Sequence, residues 1–202
     1  SNSGYGIDIA SNMVPAVDTA IYSAVGTDTV SYGVARSAQD TGNLGYKLAL
    51  DGGLTVSVEA ARNTTAGGTD NTYGVTYTGI DGLTLAAGTG MTATGGTAEV
   101  ESTTFGVKYA TGGLTFGLQL TDVETEGTTE EEEGVYMGVT YNVNDDFTIG
   151  YVRQETDFSG NNADEEHSGI QASYSMGSIS FSGRISKVDN MSISNFDIEF
   201  GY

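Results

Sequence analysis

Runs of about nine residues in which apolar and polar side chains alternate recur along most of this chain, and that alternation limits what it can fold into. In the last run Phe196, Ile198, Phe200 and Tyr202 share one parity, while Asn195, Asp197, Glu199 and Gly201 take the other. An extended strand sends successive side chains to opposite faces, so each run has one greasy face and one wet face. The runs lie at 101–109, 133–141, 147–155, 166–174, 179–187 and 194–202. Their length matches the roughly 9–11 residues a tilted strand needs to cross a bilayer, whereas soluble strands average about 5–6. Tyr77, Tyr109, Tyr141 and Tyr174 close successive segments at intervals of 32, 32 and 33 residues, and Tyr202 closes the last. That period is one hairpin plus one loop, with an aromatic at one level of each hairpin. The expected fold is all-β, a transmembrane antiparallel up-and-down β-barrel.

Composition separates that barrel from its rivals. The 202 residues include 30 Gly, one Pro, no Trp and no Cys, and apolar residues other than Gly reach only 38%. Two packed soluble layers need more bulky side chains than this. A barrel needs no thick core, because half its wall faces water and the other half dissolves in lipid. No run of about 18 apolar residues exists, which excludes a membrane-spanning helix.

Twelve strands are predicted, near 30–36, 42–50, 54–62, 71–77, 83–91, 101–109, 114–121, 133–141, 147–155, 166–174, 179–187 and 193–202. The barrel therefore occupies 30–202, and 1–29 stands apart. There Tyr5, Ile7 and Ile9 alternate, Pro15 interrupts, and Val17, Ile21 and Val25 recur at helical spacing. The segment reads as a plug, a constriction loop or a pore-threading piece, with a flexible leader as the plainer alternative. Net charge is −20. The acids are expected between strands, at Asp122, Glu124, Glu126 and Glu130 to Glu133, then at Asp157, Asp164, Glu165 and Glu166. These connections are long, whereas those after the tyrosines, 78–82, 110–113, 142–146 and 175–178, are short. Outer-membrane barrels keep short turns on the periplasmic side, so the acids face outward. Nucleic acid is a poor partner for such a surface.

Parity also assigns the lumen. Leu44, Tyr46, Val56, Phe105, Phe116, Met137, Ile149, Phe181 and Ile185 point outward, and Lys47, Glu59, Lys108, Gln119, Tyr136, Gln171, Arg184, Asp197 and Glu199 line the pore. Three of the seven basic residues thus face inward, where solvation requires them: a basic residue on the lipid face costs about 2–4 kcal/mol at the midplane. Opposed charges across a pore favour dipolar solutes; the plainer account is that Lys108 and Arg184 neutralise lumen carboxylates. Tyr77, Tyr109, Tyr141, Tyr174 and Tyr202 form an aromatic girdle at head-group level. Carboxylates of Asp157, Asp164, Glu165 and Glu166 are hard oxygen donors of the kind Ca²⁺ or Mg²⁺ takes, and bridging to lipopolysaccharide or a neighbouring subunit would use them. No spacing resembles an EF-hand loop, and a solvated, self-repelling loop accounts for the same residues. No nucleotide loop or Cys/His cluster is present, so no further cofactor is expected. His167 is the one histidine, and Ser168 falls on the opposite strand face, so no dyad assembles and no enzyme is expected.

The ending Phe196-Asp197-Ile198-Glu199-Phe200-Gly201-Tyr202 resembles the terminal aromatic assembly signal of bacterial outer-membrane proteins, carried by Phe196, Ile198, Phe200 and Tyr202. Thr29-Val30-Ser31-Tyr32, Tyr77-Thr78-Gly79-Ile80-Asp81-Gly82-Leu83 and Tyr109-Ala110-Thr111-Gly112-Gly113-Leu114 resemble hairpins of general diffusion porins. Over roughly 28–202 the chain is therefore similar to the Gram-negative porin family. The resemblance implies an outer-membrane homotrimer among lipid and lipopolysaccharide, passing small hydrophilic solutes and ions by diffusion. The acidic mouth would favour cations. One departure stands out: such porins have 16 or 18 strands and an inward-folded third loop, and this chain has room for about twelve. Two accounts stay open, the C-terminal part of a longer porin with 1–29 corresponding to that loop, or a smaller barrel of its own. An autotransporter-type translocator, with a segment threading its pore, is the alternative function, alongside a purely structural barrel.

Overall fold

Each alternating run pairs with the next one in the chain. The computed structural model describes residues 4–17, 43–62, 69–93, 99–128, 131–159, 164–188 and 191–200, with side chains through Lys187. Among them eleven strands form one sheet in chain order: β1 (Asn43–Leu50), β2 (Leu54–Arg62), β3 (Thr69–Ile80), β4 (Leu83–Ala93), β5 (Glu99–Thr111), β6 (Leu114–Thr125), β7 (Glu131–Asn142), β8 (Phe147–Phe158), β9 (Glu165–Met176), β10 (Ile179–Val188) and β11 (Met191–Phe200). Every neighbouring pair is antiparallel. This is the wall of an up-and-down β-barrel. The strand expected at 30–36 lies outside the described residues.

Most strands outrun the sequence expectation. β5 reaches 13 residues, and β3 and β6 to β9 each have 12. The additions carry most of the acids, which corrects their placement between strands: Asp122 and Glu124 belong to β6, Glu131 and Glu132 to β7, Asp157 to β8 and Glu165 to β9, while Glu133 and Glu166 open runs already expected as strands. The physical reason is that ladder hydrogen bonds continue past the apolar band. A strand needs greasy side chains only where lipid touches it.

One end of the sheet is closed by tight turns at 51–53, 81–82, 112–113, 143–146 and 177–178. There the tyrosine period has a structural meaning. Thr78 N donates to Gly53 O, Ala110 N to Gly82 O, Asn142 N to Gly113 O and Ser175 N to Asp146 O, each at 2.8 Å. Each donor directly follows Tyr77, Tyr109, Tyr141 or Tyr174, so each described hairpin after β1–β2 ties its first strand to the preceding turn.

The two faces are inverted relative to a soluble protein. Leu44 is 77% exposed, Ile170 64% and Ile185 64%, whereas Thr72 and Gln119 are fully buried. Phe105, Phe116, Leu120, Tyr151 and Ile149 are also exposed, and Ser57, Glu59, Asp70, Ser102, Thr104 and Gln171 are buried. A contiguous apolar exterior of this extent belongs in lipid. β1 and β11 both run toward the turn end and edge the described sheet, so closing it with antiparallel seams takes an odd number of further strands.

Candidate pore-lining site

The inner face is polar and carries a strap of chain laid across it. Residues 4–17 run over β1 to β8, beginning with a 3₁₀ turn over Gly6–Ala10. That turn is closed by Asp8 N to Tyr5 O at 3.1 Å and Ser11 N to Asp8 O at 3.3 Å, while the Ser11 hydroxyl donates to Asp8 O at 2.8 Å. Gly6 N donates to Ser57 Oγ on β2 at 2.9 Å, and Met13 N donates to Gln119 Oε1 on β6 at 3.2 Å. Gln119 is itself fixed, its Nε2 donating to Thr104 Oγ1 at 3.0 Å. Apolar contacts add to these anchors: Val14 packs with Tyr136 and Val152, and Ala10 and Met13 pack with Ala86. Tyr5 lies over Gly45, with the Lys47 ammonium 5.3 Å from its ring centroid, a cation–π distance. Asn12 is the exception, exposed between buried Ser11 and Met13 and held at φ 70°.

The structure puts Glu59, Gln119, Tyr136 and Gln171 on the buried face. Lys47 opposes Ser57, Lys108 opposes Gly117, and Arg184 opposes Gln171, so all three occupy inward register positions. The amide of Asn43 donates to Glu59. On β11, Asp197 opposes Ser182 and Glu199 opposes Ser180 in register, and Phe196, Ile198 and Phe200 oppose Gly183, Phe181 and Ile179. Tyr202 lies outside the described residues. Tyr77, Tyr109, Tyr141 and Tyr174 sit at the turn end on the apolar face, and the Tyr174 ring stands 6.5 Å from Phe147.

The acids divide between the faces. Glu165 points inward, 3.2 Å from the buried His167. Glu166 points outward and, with Glu155, pairs with Arg153, at 3.4 Å for Glu166. Asp164 Oδ1 accepts the Phe158 N–H at 3.1 Å. Among the described residues no three His, Asp or Glu side chains gather as a metal site. His167 and Ser168 stand on opposite faces. On the outward face at the loop end, carboxylates oppose one another across strands: Glu101 with Glu124, Glu124 with Glu131, Asp122 with Glu133, and Glu133 with Asp157.

Sequence reasoning missed the strap's seat and the Arg153 cluster. The signal for the first was present in the recurrence of inward glycines on β3 to β8. For the second nothing local pointed to it, because Arg153 falls on the apolar parity.

Compared with known proteins, residues 3–190 match the family described as Gram-negative porin. A porin structure refined at 1.8 Å superposes with a TM-score of 0.67 at 16% identity, covering 82% of this chain and 63% of that one. OmpT of Vibrio cholerae lacking loop L8 gives 0.55 at 19% identity, covering 83% and 69%. A triple mutant of the Rh. blastica porin gives 0.54 at 12% identity, covering 79% of each chain. Among curated protein sequences none matches. The chain thus spans less than two thirds of the length of the first of these structures.

Proposed function

Because the chain belongs to the Gram-negative porin family and so to the outer membrane, we propose that it forms a water-filled channel there through which small hydrophilic solutes and ions diffuse. The observation that carries this is the inverted wall, apolar and exposed outside, polar and buried inside. In this reading Lys47, Glu59, Lys108, Gln119, Tyr136, Gln171, Arg184, Asp197 and Glu199 line the path. The strap at 4–17, part of the 1–29 segment, narrows it. Cations are favoured, since a net charge of −20 with carboxylates massed at the loop end makes the mouth potential negative. The five tyrosines Tyr77, Tyr109, Tyr141, Tyr174 and Tyr202 anchor the turn end at the head groups, and Phe196, Ile198, Phe200 and Tyr202 serve as the assembly signal. Lipid and lipopolysaccharide surround the band, with Ca²⁺ or Mg²⁺ relieving the outward carboxylates. Copies associate as a trimer through small outward residues such as Ala87, which floors a shallow apolar dent framed by Val56, Val58, Tyr73 and Phe105.

Single-channel recording in a planar bilayer under a salt gradient tests the reading. Stable steps with a cation-selective reversal potential are the expected result. A reversal potential of anion sign removes the cation preference, and a silent bilayer with insertion verified removes the channel itself.

A further inference from the structure

Six consecutive strands each lack an inward side chain where the strap crosses. Gly74 lies beneath Gly6 and Ile9, Gly88 beneath Ile7 and Ala10, Gly106 beneath Met13, Gly117 beneath Met13 and Pro15, Gly138 beneath Val14 and Pro15, and Gly150 beneath Val17. The positions are contiguous in the sheet. Gly74 opposes Gly88 and Gly117 opposes Gly138 in register. From Gly88 to Gly106, from Gly106 to Gly117, and from Gly138 to Gly150 the path steps two residues toward the turn end. Such stepping follows the stagger that strand tilt imposes on a barrel wall. On β2, the position opposite Gly74 is Ser57, whose hydroxyl accepts the Gly6 N–H.

A β-carbon at these sites would intrude on the strap. It would stand 2.8 Å from Ile7 Cγ1 at Gly88, 2.8 Å from Met13 Cβ at Gly106, 2.7 Å from Val14 Cγ1 at Gly138 and 2.8 Å from Val17 Cγ2 at Gly150. Carbon atoms pack at roughly 3.5–4.0 Å. The strap therefore lies at the depth where wall side chains would otherwise be. Glycine weakens a strand interior and commonly marks close backbone approach. Six such positions joined into one path, with a chain segment seated along all of them, give that weakening a purpose.

We propose that the glycines of β3 to β8 form a recessed track that holds the 4–17 strap flush against the inner wall, fixing the free cross-section and turning Asn12 into the solute path. The glycines are positioning residues. The proposal rests on the channel reading only for its statement about current.

The chain has no cysteine, so an introduced pair reports seating directly. The Ala10 β-carbon stands 3.2 Å from the β-carbon site of Gly88, close to the roughly 3.5–4.5 Å of a disulfide. Ala10→Cys with Gly88→Cys in the membrane-inserted protein is expected to oxidise almost fully and to reopen with reductant. Adding Gly117→Leu and Gly138→Leu is expected to lower that yield at least threefold, and Gly138→Ala alone to lower it less in the same direction. Retained heat-modifiable migration shows that the wall has folded; if the leucine variant does not fold, the alanine variant decides. Without the cysteines, the leucine variant is expected to conduct about twice as much per channel. A pair that does not oxidise, or a yield that the added side chains leave unchanged, overturns the track. Unchanged conductance with a displaced strap overturns its control of the cross-section. A silent wild type removes the channel reading instead, while the disulfide still judges the track.

Discussion

Glu133 faces Asp122 on one side and Asp157 on the other, directly across the ladder and on the same outward face. Opposed like charges destabilise a strand pair, and opposite charges contribute roughly 0.2–1 kcal/mol. Glu133→Gln is therefore expected to stabilise the folded barrel by about that amount in low salt without divalent ions, read as a higher unfolding midpoint in denaturant. The gain should shrink when salt screens the remaining carboxylates; a gain that is unchanged in high salt would show that charge is not its source. The Arg153 guanidinium between Glu155 and Glu166 shows the other solution to the same crowding. Its contribution is small, because exposed ion pairs contribute about 0–1 kcal/mol.

Among the elements, the hairpins owe their even spacing to the turn end. Gly82 sits at φ 73° and its carbonyl accepts the Ala110 N–H at 2.8 Å. A side chain there would meet Ala110 O, and left-handed backbone strains any L residue. Gly82→Ala is expected to cost about 1–3 kcal/mol, measured by reversible urea unfolding from lipid vesicles. The same change at Gly112, whose φ is 56° with open space around it, should cost less, since only the backbone preference is lost. Equal costs at the two sites would refute the stitching as a source of stability.

The described sheet is a wall whose inside and outside have exchanged their usual polarity. Ile170 lies on the outward face between Tyr151 and Ile185. Ile170→Lys is expected to cost about 2–4 kcal/mol if it sits at the bilayer midplane, read as a reduced heat-modifiable fraction after refolding into vesicles. Thr115→Lys, an inward position between Ala110 and Thr140, should fold like the parent, because the lumen can hydrate a lysine. A parent-like Ile170→Lys would mean that this face does not meet lipid.

How much of this was legible follows from what each pattern depends on. Strand parity is local: a period of two fixes which side chains share a face whatever the strand pairs with, and so Lys47, Glu59, Gln119 and Gln171 could be placed inward from sequence and stand there in register. The tyrosine period was equally visible, but that the residue after each tyrosine ties back to the preceding turn depends on which strands are neighbours. Polarity places strand ends too early, because hydrogen bonding continues beyond the apolar band. The class of fold and the two chemically distinct faces follow from alternation along single strands, and so are written in the amino-acid order alone. That the glycines of β3 to β8 make one path, and that residues 4–17 lie along it, emerges once the strands are paired. That juxtaposition is a property of sheet register between residues far apart in the chain, and no local periodicity encodes it.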